Sequence, residues 1–200
     1  MDERLKILPD ARWAVWRALL EERLAAAGTL ISAATFGDLL DPMMHRILID
    51  GFAQAGAHEG TVWLLDEHAE NLVAAFNSGP RAEDIAGIFR QPLRAGMISL
   101  VFASGQPLCE NAVYRNERQD KTLDAKLQLL TCAMLAVPFS FAGRERGVIS
   151  CVRLKAADSE AADPPGFSNH DLETLQRTTA LLSRLIDHRL MELTLGLADA

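Results

Sequence analysis

The sequence predicts an α+β fold in which a central antiparallel sheet carries helices on its faces and long helices stand at both ends. Three patterns predict it. Residues 132–155 form two runs with strand-like alternation, separated by a polar turn. Ser168 and Asp171 form a capping box in front of a long helical stripe. A further apolar stripe at helical spacing includes Trp13 and Trp16.

The hairpin at 132–155 is the centre of the predicted sheet. Its first strand places an apolar residue at every second position, namely Ala133, Leu135, Val137, Phe139 and Phe141. After a turn at 143–147, the second strand directs Val148 and Ser150 to one face and Ile149 and Cys151 to the other. This alternation predicts two half-buried antiparallel strands.

The N-terminal stripe predicts a helix that starts with Pro9 in its first turn and ends near Gly28. Its apolar positions are Trp13, Trp16, Leu20 and Leu24. The stripe requires a partner surface, which is either the sheet of the same chain or a second subunit. The spacing of the residues leaves both interpretations open.

Between the terminal helices, turn residues divide the chain into short segments. In chain order the sequence predicts a helix from Asp41 to about Gly56, strands at 61–66 and 72–76, a helical turn within 81–87, an extended run at 88–93, a short helix at 97–103 closed by Gly105, a strand from Pro107, and a polar segment at 110–131. The predicted organisation is an N-terminal helical extension at 1–36, one domain at 37–192 that includes the helix at 168–192, and a tail at 193–200.

Composition limits the classes of partner. The chain has 200 residues and a net charge of -7, which disfavours nucleic acid and anionic membranes as partners. Met1 to Arg4 lack the basic start of a signal peptide, and no apolar run approaches the roughly 20 residues of a membrane span. Three cysteines fit reduced thiols better than a disulfide framework. These features predict a cytoplasmic protein.

Motifs of common enzymes and metal sites do not occur in the sequence. The five histidines lie far apart, without the spacing that places two of them on one metal ion. The chain has no GxSxG elbow, no phosphate-binding GxxxxGK[ST] loop and no strand-linked GxGxxG. We therefore expect neither a catalytic site of these types nor a metal site.

Several segments together resemble a known family. The C-terminal half carries Leu135-Ala136-Val137-Pro138, Gly143, Gly147-Val148-Ile149, Phe167-Ser168 and Asp171-Leu172, and upstream stand Gly60 to Asp66, Arg94-Ala95-Gly96 and Ser104 to Leu108. In this order and spacing, over residues 37–192, they resemble the GAF domain, a small-molecule sensor module of many signalling proteins. The resemblance implies a GAF-like, PAS-related fold.

The resemblance also implies a function. A GAF-like chain would act as a non-enzymatic sensory or regulatory module, binding a small molecule in a pocket over the sheet and passing the state through the terminal helices of a homodimer to an output domain or signalling partner. The residues expected to face the pocket are Trp63, Phe76, Phe89, Met97, Ser99, Phe102, Tyr114, Arg115 and Asp120. Tyr114 and Arg115 together would suit an anionic ligand. The identity of the ligand and of any cofactor is left open.

Two alternatives follow from the same resemblance. The first is a thiol-based enzyme similar to the free methionine-(R)-sulfoxide reductases, with Cys109 as the nucleophile. That family has a cysteine just after the glycine-containing turn, where this chain has Met97-Ile98-Ser99. The second is a domain that binds no ligand and only dimerises. Covalent bilin attachment is disfavoured, because no cysteine or histidine lies between Asn111 and Thr131.

Overall fold

The computed structural model describes residues 10–197. Predictions for Pro9, for the first four residues and for the last three residues of the tail lie outside the described residues. The helices are α1 (Ala14–Thr29), α2 (Phe36–Leu39), α3 (Pro42–Gln54), α4 (Ala82–Ile85), α5 (Met97–Ser104), α6 (Thr122–Leu127) and α7 (Asn169–Leu195). The strands are β1 (Glu59–Leu65), β2 (Asn71–Asn77), β3 (Arg90–Pro92), β4 (Leu108–Glu110), β5 (Leu129–Phe141) and β6 (Arg144–Ala156).

The six strands form one sheet in the order β3-β2-β1-β6-β5-β4, and all neighbouring strands are antiparallel. The long β5–β6 hairpin is the predicted one, and it pairs from Leu129↔Ala156 to Phe141↔Arg144. The predicted α+β fold class, with a central antiparallel sheet and terminal helices, is therefore confirmed.

The sheet separates two apolar cores, and we name its faces after what covers them. The helix face is covered by α2, α3 and α7, with the end of α1 packed at its border. Its largest fully buried side chains include Phe36, Phe139, Leu182 and Ile186. The cavity face is covered by α4, α5, α6 and the 110–131 segment, and its core includes Trp63, Leu72, Ile85 and Val148.

Helix α3 begins and packs as the sequence predicts. The Asp41 side chain accepts a hydrogen bond from the backbone N–H of Met44 at 2.7 Å, with Pro42 in the first turn. The ring of Phe52 lies directly over Gly60 of β1, where a Cβ would overlap the ring atoms. This close approach explains why a strand interior carries glycine at that position.

The two ends of helix α1 differ in burial. Near its C-terminal end, the Arg146 guanidinium donates to the carbonyl oxygen of Ala25 at 3.2 Å. A Cβ at Gly28 would overlap both Ala142 and Arg146, so this end is held close against the hairpin. Trp13 and Trp16, in contrast, are 68% and 52% exposed. The C-terminal end of α1 thus packs on its own chain. The tryptophans at and just before its N-terminal end are exposed to solvent.

Helix α7 starts with the predicted capping box and continues to Leu195. The Ser168 hydroxyl accepts from the backbone N–H of Asp171, and the Asp171 carboxylate accepts from the backbone N–H of Ser168. Its buried stripe comprises Thr174, Leu175, Thr178, Thr179, Leu182, Ile186 and Leu190. Within residues 10–197, no helix combines the length and apolarity needed to cross a bilayer.

Candidate functional site

A cavity of about 70 Å³ lies between the cavity face of the sheet and its cover. One water molecule needs about 10–15 Å³ of such space, so the cavity holds several waters or a small organic molecule. The residues that line it come from all parts of the domain: Glu59, Thr61, Trp63, Asn77, Ile85, Phe89, Gln91, Gly96, Met97, Ile98, Gln119, Asp120, Leu123, Asp124, Leu127, Leu129, Thr131, Met134, Ser150, Val152 and Leu154.

One wall of the cavity is aromatic. Trp63 and Phe89 pack edge to face, with ring centroids 6.0 Å apart and an interplanar angle of 75°. The Trp63 indole N–H donates to the hydroxyl of Ser150 on the neighbouring strand at 2.9 Å. This hydrogen bond satisfies the buried indole and fixes the orientation of the ring.

A second wall is polar and comes from β1 and the end of β2. The side-chain amide of Asn77 donates to the hydroxyl of Thr61 at 2.9 Å. Glu59 lies beside them, and burial raises the pKa of its carboxyl, while a hydrogen bond from Asn77 acts in the opposite direction. A carboxylate is therefore held partly desolvated at the side of the cavity.

The third wall is built on two aspartates of the 110–131 segment. The Asp124 carboxylate accepts from the Thr131 backbone N–H at 2.9 Å and from the Thr131 hydroxyl at 2.7 Å. Asp120 accepts from Gln91 at 3.1 Å and from the backbone N–H and hydroxyl of Thr122. The Thr122 bonds come first in lowering the pKa of Asp120. Both aspartates are thus held in place by several protein donors.

Gln119 lies between these aspartates and has an unsatisfied oxygen. Its amide nitrogen donates to Asp124 at 2.8 Å, which fixes the amide orientation because a carboxylate accepts only from the nitrogen. The other atom of the amide, Oε1, is buried and has no hydrogen-bond partner in the described chain. A buried acceptor without a partner is costly, and a ligand donor would satisfy it.

The structure brings four of the nine predicted site residues to the cavity: Trp63, Phe89, Met97 and Asp120. Ser99 instead lines an open groove on the far side of Gly96 and Asp120, and its hydroxyl donates to the Pro92 carbonyl at 2.9 Å. Phe102 packs against the cavity-face core without lining the cavity. These two residues support the cavity wall from behind.

Phe76 was expected to face the pocket and lies on the helix face instead. The pairing of β1 with β2 passes from Val62↔Phe76 to Trp63↔Ala74, so Ala75 is an extra residue in β2. The bulge reverses the alternation after Ala74. It turns Phe76 towards the helix-face core and His45, and it places Asn77 in the cavity.

Tyr114 and Arg115 also lie outside the cavity. The Tyr114 hydroxyl donates to Asp163 at 2.6 Å, and this bond raises the pKa of the phenol. The Arg115 guanidinium stands over the Tyr114 ring, 5.2 Å from its centroid. Because both groups are engaged away from the cavity, they do not form the anion site that the sequence suggested.

Several lining residues were not predicted from the sequence. Glu59 and Thr61 alternate with Trp63 along β1, and this period of two was a readable signal for a shared face. Gln91 is 4% exposed within a three-residue strand and gives no comparable signal. Asp124 and Gln119 belong to a strongly polar stretch. Only the tertiary structure shows which of its side chains line the cavity and which face solvent.

The thiols are remote from the cavity. Cys109 pairs with Leu135, which pairs in turn with Cys151, and both partners belong to the helix-face core. Burial raises the pKa of Cys109, Cys132 and Cys151, which disfavours the thiolate. No cysteine lines the cavity in the described chain. Within residues 10–197, no three metal-ligating side chains come together to hold an ion.

The family follows from comparison with known domains. A family model described as "GAF domain" matches residues 34–187. The chain belongs to the GAF domain family. Its sheet, its cover of short helices and its long C-terminal helix are the parts of a GAF domain.

Solved GAF structures share this fold. The GAF domain/HD domain protein from Geobacter sulfurreducens has a TM-score of 0.54 and 16% identity, over 78% of this chain and 97% of that chain. The GAF domain of an Acinetobacter phosphoenolpyruvate-protein phosphotransferase has a TM-score of 0.52 and 16% identity, over 78% and 99%.

An enzyme appears among the similar structures as well. A type II free methionine-R-sulfoxide reductase from Thermoplasma acidophilum has a TM-score of 0.53 and 15% identity, over 84% of this chain and 96% of that chain. At such identities the similarity shows the fold alone, because one fold serves many functions. No curated protein matches the chain.

Proposed function

We propose that this GAF domain is a non-enzymatic regulatory module that binds a small molecule in the cavity and transmits its occupancy through the terminal helices of a homodimer. One observation carries the proposal. The 110–131 segment, which contributes a wall of the cavity, is hydrogen-bonded directly to Phe167, the residue before the N-cap of α7.

That connection is a reciprocal pair of hydrogen bonds. The Asn111 side chain donates to the Phe167 carbonyl oxygen at 2.9 Å and accepts from the Phe167 backbone N–H at 2.7 Å. Phe167 stands next to Ser168, the N-cap of α7. A displacement of the wall therefore acts on the first turn of α7 without passing through the sheet.

Two further contacts tie the same regions together. Tyr114 and Lys155 both bind Asp163, with distances of 2.6 Å from each. The Arg153 guanidinium stacks on the Phe167 ring, 4.2 Å from its centroid, and donates to the carbonyl oxygens of Pro165 and Gly166. These contacts hold the loop before α7 in place. A movement of the wall is therefore expected to displace the start of α7 as well.

The exposed apolar surface of the terminal helices supports the homodimer. Trp13, just before α1, and Val15, Trp16 and Leu19 on α1 are exposed, and on α7, Leu181, Met191, Leu193 and Leu195 are exposed. A groove lined by Trp13, Leu20, Leu24 and Met191 joins the two helices. Contiguous exposed apolar side chains of this kind mark protein interfaces. The same surface would reach an output domain or signalling partner.

The positions of the thiols favour a regulatory module over a reductase. A cysteine nucleophile must reach the bound substrate and ionise readily, and the cavity lining offers no thiol in the described chain. Three free cysteines with raised pKa values suit a reducing cytoplasm. A third option is a domain that dimerises without a ligand, and the first experiment below distinguishes it from a ligand-binding module.

The first experiment is native mass spectrometry of the purified chain, followed by denaturation and small-molecule analysis. A dimer that releases a metabolite of defined mass is the expected result. A ligand-free dimer whose melting temperature no metabolite changes would leave only the dimerisation module. A monomer would overturn transmission through a dimer.

The second experiment tests the transmission route by hydrogen exchange. Binding of the released metabolite should slow exchange at residues 167–176 in the wild type, and Asn111→Ala should remove this effect while binding persists. Asn116→Ala is the matched control, because Asn116 lies in the same wall and bonds Glu110 rather than α7. Equal protection of α7 in both variants would refute the route.

A further inference from the structure

We infer that the ligand of this cavity is a small organic cation, an alkylammonium with an apolar body, held by the carboxylate of Glu59 against the aromatic wall. The inference rests on the proposed function and specifies the chemistry of its ligand. It follows from the charges of the lining, from its unsatisfied hydrogen-bonding atoms and from its size.

The lining has three carboxylates and no lysine, arginine or histidine among the residues that the structure describes. The carboxylates belong to Glu59, Asp120 and Asp124. A low-dielectric cavity of this charge repels an anion and favours a cation, because the interaction is weakly screened there. The sequence suggested an anionic ligand because of Tyr114 and Arg115, which lie outside the cavity. The lining itself favours a cationic ligand.

The hydrogen-bonding atoms lead to the same conclusion. The nitrogen donors of Trp63, Asn77, Gln91 and Gln119 all donate to protein acceptors. Asp120 and Asp124 each already accept three hydrogen bonds from protein donors. The acceptors with capacity left are the buried Oε1 of Gln119 and the carboxylate of Glu59, whose pKa is raised by burial, against which the neighbouring Asn77 and His58 act. The hydroxyls of Thr61 and Ser150 accept from Asn77 and Trp63 and keep a proton to donate, so it is the charge of the lining that favours a ligand donating to Glu59.

The apolar part of the lining determines the rest of the ligand. Trp63 and Phe89 offer aromatic surface, and further apolar surface comes from the aliphatic side chains of Met97, Ile98, Leu123, Leu127 and Met134. Aromatic rings attract cations through their negative faces, most strongly when water is excluded. A volume of about 70 Å³ is roughly half that of an apolar cavity that takes benzene. It therefore suits a molecule smaller than benzene.

Three four-carbon probes of similar length separate the effect of charge, namely n-butylammonium chloride, 1-butanol and sodium butyrate. Binding is followed by NMR through the indole N–H resonance of Trp63, which lines the cavity, whereas Trp13 and Trp16 provide exposed internal references. Butylammonium should give a saturable shift at Trp63, at least tenfold tighter than butanol. Butyrate should give no saturable shift.

Two variants test the role of Glu59. Glu59→Gln keeps the shape and the hydrogen bond to Asn77 but removes the charge, and it should weaken butylammonium binding about tenfold. Glu145→Gln is the matched control, because burial also raises the pKa of Glu145, which lies on the same sheet outside the cavity. It should change the affinity by less than twofold.

The outcomes distinguish this inference from the proposed function. Butanol or butyrate binding as tightly as butylammonium, or unchanged affinity in Glu59→Gln, would overturn the cation while leaving a ligand-binding cavity. A Trp63 resonance that no probe shifts, in a chain that also releases no metabolite, would overturn both.

Discussion

Replacement of Asp124 by alanine should destabilise the cavity wall more than any exposed acidic residue of the domain. Its carboxylate accepts three hydrogen bonds, from the Gln119 amide at 2.8 Å, the Thr131 N–H at 2.9 Å and the Thr131 hydroxyl at 2.7 Å. Thr131 is 4% exposed, so water from the cavity replaces the lost acceptor only in part. The variant leaves buried donors of Thr131 unpaired.

The magnitude follows from those donors. A buried polar group that loses its partner costs about 1–3 kcal/mol, and two such groups at Thr131 give a loss of roughly 2–6 kcal/mol in the free energy of unfolding. Urea unfolding measures it, as a fall of roughly 1–3 M in the midpoint for a chain of this size. The effect should be confined to the midpoint, with an unchanged slope.

A double-mutant cycle with Thr131→Val isolates the interaction. Thr131→Val removes the hydroxyl alone, and the pair should show a coupling energy of about 0.5–3 kcal/mol. Asp84→Ala is the control, because Asp84 forms an exposed ion pair with Arg81 and should cost less than about 1 kcal/mol. If Asp124→Ala were as mild as Asp84→Ala, the wall would not depend on this carboxylate.

Three further predictions concern the cap of α7, the centre of the sheet and pH. Ser168→Ala should lower stability by about 1 kcal/mol in thermal unfolding, because the helix loses its N-cap, whereas Ser168→Asp should largely restore it. Gly147→Ala should prevent folding, as judged by circular dichroism, because its Cβ would overlap the Trp63 carbonyl oxygen; a soluble, native-like Gly147→Ala protein would contradict the strand pairing. Burial raises the pKa of Glu59, so the folded state holds that proton more tightly and stability falls as pH rises above the unfolded value. Glu59→Gln should therefore raise the free energy of unfolding at pH 7, by less than about 1 kcal/mol, and lose this advantage below about pH 4. A gain that persists in acid would exclude this cause.

The fold was predictable because its longest elements carry uninterrupted local patterns. β5 alternates from Ala133 to Phe141, and the α7 capping box is encoded within four residues. Such signals depend on the chain's own geometry and need no distant partner. The order of these segments then sufficed to indicate the family, and the match over residues 34–187 agrees with it.

The cavity was predictable only where alternation was undisturbed. Trp63 was placed correctly because β1 is regular, and Phe76 was not, because one extra residue in β2 exchanges the two faces. Tyr114 looked like a ligand contact, since an aromatic hydroxyl in a polar segment has no local partner. Its partner, Asp163, lies 49 residues away, and only the folded chain brings the two together.

The bulge at Ala75 means that pairing with β1, and not the count of residues along β2, decides which β2 side chains face the cavity. Deleting that single alanine would restore regular pleating and leave Phe76 opposite Val62 and Asn77 opposite Thr61, each on its present face. In an alignment of GAF domains, a one-residue gap at this position is therefore compatible with an unchanged cavity lining.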